Sequence, residues 1–94
     1  MDFRYNGQTI QWTLHAEGYE FRRGFTKIEV EQAIRSSDWV FNSKGRLECR
    51  KNFPFNNVWN QRFYSMKQVR PIFVVEGEVI TIITVYAYFF NYEN

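Results

Sequence analysis

Arg23-Gly24-Phe25-Thr26-Lys27-Ile28-Glu29 is the stretch on which the reading of the fold turns. Thr26 and Glu29 stand at the spacing of a capping box, hydroxyl at the N-cap and carboxylate three residues on, so a helix should start at Lys27. Gly24 falls where a preceding helix needs a left-handed residue to stop. That earlier helix should run over Leu14–Arg23 with Thr13 as its N-cap. Its acids come early and Arg22-Arg23 close its last turn, as the helix dipole prefers. The later helix, Lys27 to about Arg35, carries Ile28, Val30, Ala33 and Ile34 as a short apolar stripe. Together they are expected to form an αα-hairpin.

Upstream, Asn6-Gly7 is a hairpin signal between Phe3-Arg4-Tyr5 and Thr9-Ile10-Gln11-Trp12, predicting a small hairpin or one strand entered by a turn. Downstream the apolar period changes to two. Trp39-Val40-Phe41 reads as a short strand and Asn42-Ser43-Lys44-Gly45 as a turn. Arg46–Phe53 alternates, with Leu47, Cys49 and Phe53 opposed to Glu48, Arg50 and Asn52. Pro54–Asn60, rich in Asn, reads as a loop and Gln61–Lys67 as a strand. Pro71 has no N–H to donate and predicts a bend or an edge position. Ile72–Val75 resumes the strand pattern, and Glu76-Gly77-Glu78 turns the chain. Val79–Phe89 is the longest strand. Its two faces, Val79, Thr81, Ile83, Val85, Ala87 and Phe89 against Ile80, Ile82, Thr84, Tyr86, Tyr88 and Phe90, are both largely apolar, so it should be central and covered twice. The fold class expected is α+β: an N-terminal αα-hairpin packed on a twisted antiparallel sheet of about four strands.

The chain has 94 residues, the size of a single domain over 1–94. Aromatics make up 20% of it, which supplies large buried area per side chain. Cys49 is the one cysteine, so no internal disulfide forms, and a reducing compartment is expected. Met1-Asp2-Phe3-Arg4-Tyr5 lacks the basic start and apolar run of a signal peptide, and Ile72–Val75 and Val79–Phe90 are too short or too interrupted to span a bilayer as helices. A cytoplasmic protein with no membrane contact is the expectation. One His and one Cys far apart supply no zinc site, and no phosphate-binding or dinucleotide loop is present, so neither metal nor cofactor is expected. Cys49 lies on the apolar side of its strand and reads as a small buried hydrophobe rather than a nucleophile paired with His15.

Net charge is only +2, but it is unevenly spread. Lys44, Arg46, Arg50, Lys51, Arg62, Lys67 and Arg70 face one acid in their segment, Glu48, a local charge of +6; the remainder of the chain carries −4. Such a segment is a footprint for a polyanion or an acidic partner. A half-solvated sheet also carries Lys and Arg for solubility alone.

Leu14-His15-Ala16, Arg23-Gly24-Phe25, Val30 with Ala33-Ile34, Arg46-Leu47-Glu48-Cys49-Arg50-Lys51, Phe63-Tyr64, Lys67–Val74 and Ile83–Phe90 occur in an order that resembles a bacterial family, domain of unknown function 4258. The resemblance covers roughly residues 12–90. Tyr19 departs from it, standing where that family usually has Arg, with Arg22 the nearest replacement. The family is grouped with RelE/ParE-type toxins and BrnT-like proteins, so the resemblance implies a RelE-like architecture and a toxin–antitoxin context. It also implies a metal-independent ribonuclease acting through the ribose 2′-OH. That chemistry needs a base, cations around the phosphate and an acid for the leaving oxygen. On this reading His15 is base or acid, Arg23, Arg50 and Arg70 clamp phosphate, and Tyr64 or Glu48 is the second proton-transfer group. RNA and an antitoxin protein are the implied partners.

Each residue has a plainer reading. His15 satisfies a backbone group, Arg23 caps the first helix, Tyr64 is a half-buried core aromatic, and Glu48 pairs across strands. The alternative function is a non-catalytic nucleic-acid- or protein-binding module. In it Lys44, Arg46, Lys51, Arg62 and Lys67 contact the strand, while Trp59, helped by Phe55 and Tyr64, stacks on bases. The aromatic end, Tyr88-Phe89-Phe90 with Tyr92, also invites a homodimer.

Overall fold

The computed structural model describes residues 7–92. Strands take 51% of them and helices 22%. In chain order the elements are β1 (Thr9–Trp12), α1 (Leu14–Gly18), α2 (Glu20–Arg23), α3 (Lys27–Ser36), β2 (Val40–Phe41), β3 (Leu47–Glu48), β4 (Lys51–Trp59), β5 (Arg62–Glu76) and β6 (Val79–Phe90). The sheet order is β1-β6-β5-β3-β2, with β4 also paired to β5. All pairs are antiparallel except β1 with β6, which run parallel. The expected helix hairpin on a four-stranded antiparallel sheet, the RelE-like architecture, is therefore replaced by a six-stranded mixed sheet with three short helices. The Phe3–Tyr5 arm of the expected N-terminal hairpin lies outside the described residues; its Thr9–Trp12 arm is β1.

The helical expectation fails at Tyr19. Gly18 costs about 1 kcal/mol inside a helix, and the chain turns there, with Tyr19 at φ −99°, ψ 0°. What remains are helices of five and four residues, too short to make a hairpin partner for α3. The caps stand where the residues place them. Thr13 accepts from the Ala16 N–H, Gly24 is left-handed at φ 78°, and Thr26 with Glu29 closes the capping box of α3.

The sheet gains strands for three reasons. Pro54–Trp59 is strand, not loop, because Asn60 and Gln61, at φ 50° and 68°, form a two-residue turn that pairs Trp59 with Arg62. Both positive φ angles match the twist of a hairpin. The Asn signal was real, but Asn56 (φ 47°) takes it up in a β-bulge inside the strand. Pro71, expected at a bend or edge, is fully buried in the middle of the 15-residue β5. The register is the same on either side of it, Lys51 opposite Val69 and Glu48 opposite Ile72. Cys49 and Arg50 therefore face Pro71 and Arg70, and the missing proline N–H is where the Leu47–Trp59 ladder is interrupted. Third, β6 accepts β1 along its first four residues, Val79–Ile82.

A bulge between Ile72 and Phe73 shifts the register of β5 on β6. The core face of β6 thus carries Ile80 and Ile82, then Val85, instead of one alternating set. These pack with Val69 and Phe73 against Phe25, Val30, Ala33 and Ile34 of the helical side, all at most 2% exposed. Each such side chain contributes about 1.5–3 kcal/mol by burial. Trp39 seals the end of α3 by donating its indole N–H to the Ile34 carbonyl at 2.8 Å. The opposite face of β6 is not covered by a second layer: Tyr86 and Tyr88 are 37% and 43% exposed. Among the described residues, no helix is long and apolar enough to cross a membrane.

Gly24 joins the helices to the far end of the sheet. A Cβ there would lie 2.8 Å from Phe89 Cζ and 2.9 Å from Trp59 Cη2, besides the strain of its positive φ. Gly24→Ala is expected to cost about 2–4 kcal/mol of unfolding free energy, measured by urea denaturation. A loss too small to measure would mean that the β4–β5 hairpin does not pack beneath this turn.

Candidate functional site

On the uncovered face, Glu48 and Arg70 form the centre. Glu48 is paired with Ile72 on β5, which places Arg70 diagonally opposite on the same face. Arg70 Nε donates to Glu48 Oε2 at 2.8 Å and Nη2 to Oε1 at 3.0 Å, a two-point clasp. Arg50 Nε lies 3.6 Å from the same Oε2. Arg50 and Arg70 face each other across the interrupted ladder, where like charges repel. The carboxylate between them removes that cost.

Glu48 is buried, and burial alone would raise its pKa; the hydrogen bonds from Arg70 outweigh this and hold its carboxyl below the usual 4.5. Arg70 is pushed up in turn, chiefly by its bonds to Glu48.

Tyr88 OH receives a further bond from Arg70 Nη1 at 3.1 Å. The Tyr86 ring lies between two guanidiniums, with Arg70 Cζ 5.5 Å and Arg23 Cζ 4.8 Å from its centroid. Arg23 is held from β6 as well: its Nη1 donates to the Val85 carbonyl at 2.9 Å and to Thr84 Oγ1 at 3.0 Å. Its guanidinium also covers the Tyr19 ring at 3.9 Å, and Tyr19 meets exposed His15 edge-on at 4.8 Å. Five of the six residues expected to act in catalysis (His15, Arg23, Glu48, Arg50 and Arg70) thus lie along one line of contacts, with Tyr19 and Tyr86 as links.

Tyr64 is not among them. It stands with Phe55 and Trp59 around the Phe89 ring, at centroid distances of 5.8, 5.0 and 4.9 Å, beneath Gly24. Trp59, expected to stack on bases, is half-buried in that cluster.

The bases expected to contact nucleic acid also separate. Lys44 and Arg46 are exposed on the β2–β3 turn, whose shape comes from Asn42: its Oδ1 accepts from the backbone N–H of Lys44 at 2.9 Å and of Arg46 at 3.0 Å. That turn and the sheet enclose a shallow cleft of about 230 Å³, lined by Asn42, Ser43, Lys44, Arg46, Arg70, Ile72, Thr84 and Tyr86. Arg62 is exposed at the β4–β5 turn, and Lys51 lies over the Phe53 ring at 5.9 Å. Lys67 is only 4% exposed and is spent on structure, bonding Glu29 at 2.8 Å and the Gly24 carbonyl at 2.9 Å.

Tyr86, Tyr88 and Thr84 were missed as site residues. Their signal was present in the sequence: polar-tipped side chains at period two along one face of the Val79–Phe90 strand. Cys49 is buried, and its thiol is pushed up to about 12 by that burial and by Glu48, which leaves it unreactive. Among the described residues no group of three or more His, Cys, Asp or Glu is placed to hold a metal ion. Compared with known proteins, the chain matches no family model, no curated protein and no solved structure.

Because the folded pKa of Glu48 is lowered, its contribution to stability is full above pH 4.5 and is lost as pH falls through the lowered value. Glu48→Gln should cost about 2 kcal/mol at pH 7, and the gap from wild type should close between pH 4.5 and acid. Urea midpoints at a series of pH values test this. A gap independent of pH would show that the ion pair is not what the substitution removes.

Proposed function

We propose that this protein binds single-stranded nucleic acid, RNA in the first instance, on the open face of its sheet. The carrying observation is the set of side chains that face presents: Arg23, Lys44, Arg46, Arg50 and Arg70 against one acid, Glu48, around the exposed rings of Tyr86 and Tyr88. Cations along a groove hold the phosphate backbone, and an exposed ring stacks on bases whatever their sequence. The work is divided here. Tyr86 packs against two guanidiniums, whereas Tyr88 presents the more exposed ring. Glu48 fixes Arg70 through Nε and Nη2, so the guanidinium is oriented before any ligand arrives, which lowers the entropy cost of binding. The resemblance to domain of unknown function 4258 points to the same ligand class.

Binding without cleavage is the reading supported best. Strand scission needs a group that takes up and returns a proton near neutral pH. Glu48 is held ionised by two arginines, Tyr64 belongs to another cluster, and His15 meets the line of contacts only at its end, through Tyr19.

Anisotropy of a labelled 12-nucleotide single-stranded RNA tests this reading. Binding is expected at low salt and should weaken steeply as salt rises, with a log–log slope that shrinks by about 0.7 for each phosphate contact removed. The double substitution Lys44→Ala, Arg46→Ala should therefore flatten the slope by about 1.4. RNA recovered intact after incubation fits binding alone. Absence of binding at low salt, or binding indifferent to salt, would overturn the assignment, and shortened RNA would restore the ribonuclease.

A further inference from the structure

The cleft at the β2–β3 turn differs from the rest of the open face in bringing two bases of a turn, Lys44 and Arg46, beside Arg70 of the sheet. β2 is the last strand of the sheet, and the turn that follows it lines the cleft with Lys44 and Arg46, together with Arg70 and Thr84 of β5 and β6. We infer that this cleft receives the terminal phosphate of the bound strand, a phosphomonoester at one chain end, in preference to an internal phosphodiester. The inference rests on the reading of the open face as a single-stranded nucleic-acid site.

Three features carry it. The first is size. At about 230 Å³ the cleft is on the scale of one phosphate with its sugar, the size of a chain end. The second is charge. A phosphomonoester carries about −1.5 to −2 at neutral pH and offers three strong acceptor oxygens, whereas a diester carries −1. Three cations converge here, and among the described residues neither Lys44 nor Arg46 is paired with a carboxylate. Hydroxyls of Ser43 and Thr84 add uncharged polar groups to the lining. The third is direction. Arg23 lies 4.8 Å from the Tyr86 centroid and is not part of the cleft lining, so the next phosphate along the strand has a cation of its own beside that ring.

The experiment compares three RNA 12-mers of one sequence at one salt concentration: one with a 5′-phosphate, one with a 3′-phosphate, and one with hydroxyls at both ends. Each carries its fluorophore on an internal base. One phosphorylated form is expected to bind at least fivefold tighter than the hydroxyl-ended form, and which one it is identifies the end that enters. In Lys44→Ala, Arg46→Ala that preference should disappear. The single substitution Lys44→Ala, at an exposed turn position, keeps the test intact if the double variant folds poorly, and should reduce the preference. Equal binding of all three forms overturns the terminal-phosphate inference and leaves the proposed function standing. No binding of any form overturns both. A preference that survives both substitutions places the terminal phosphate elsewhere and overturns the inference alone.

Discussion

A buried ammonium holds the two layers of this domain together. Lys67 sits on β5 with its side chain turned into the protein, and its Nζ reaches both the Gly24 carbonyl and Glu29 Oε1. That carboxylate oxygen is already the acceptor for the Thr26 N–H in the capping box of α3. One cation thus satisfies the carbonyl at the end of α2 and neutralises the acid at the start of α3. A charge removed from water costs several kcal/mol unless it is paired and hydrogen-bonded. The position of the α2–α3 turn over the sheet is consequently fixed to within a hydrogen bond's length. The Phe55 and Phe89 rings, 5.2 and 5.9 Å from Nζ, close the site from the sheet side. Gly24 is required there twice over, by its left-handed backbone and by Trp59 and Phe89 beneath it.

The open face depends on that anchoring. With the turn pinned, Arg23 at the end of α2 is carried to the side of β6, where it takes the Val85 carbonyl and the Thr84 hydroxyl. β1 accompanies β6 only as far as Ile82, and beyond it Thr13 and Arg23 supply side-chain donors to β6 carbonyls in place of a strand. The arginine is thereby both a cover for a sheet edge and the outermost cation of the face. Pro71 acts from the other direction. The ladder breaks at it, opposite Cys49 and Arg50, but the register continues across the gap and sets Arg50 opposite Arg70, with Glu48 bonded to both.

Local signals along the chain were legible, and long-range ones were not. Thr13, Gly24 and the Thr26–Glu29 box stand where capping chemistry puts them, because a cap is decided within four residues. Whether a helix then continues was not decided locally: Gly18 and Tyr19 stop α1, and Tyr19 gains a guanidinium and an imidazole by turning aside. The Asn-rich stretch after Pro54 carried correct information about left-handed positions, yet the same residues serve a loop or a bulge and tight turn. Only pairing with β5 separates the two. The parallel addition of β1 to β6 joins residues some 70 positions apart, and no pattern in Thr9–Trp12 announces its partner.

The basic segment shows the same boundary within the site. Counting charge picked out the segment from Lys44 to Arg70 but treated every base in it alike. Period two along β5 separates Lys67 from Arg70, since residues three apart point to opposite faces. Lys67 therefore goes to the core side and Arg70 to the open side. The +6 segment thus divides into a structural cation within the layer and a group displayed on the face. What charge counting omits is the aromatic framework. Tyr19 and Tyr86 line the path from His15 to Glu48, and both give Arg23 a ring to rest on.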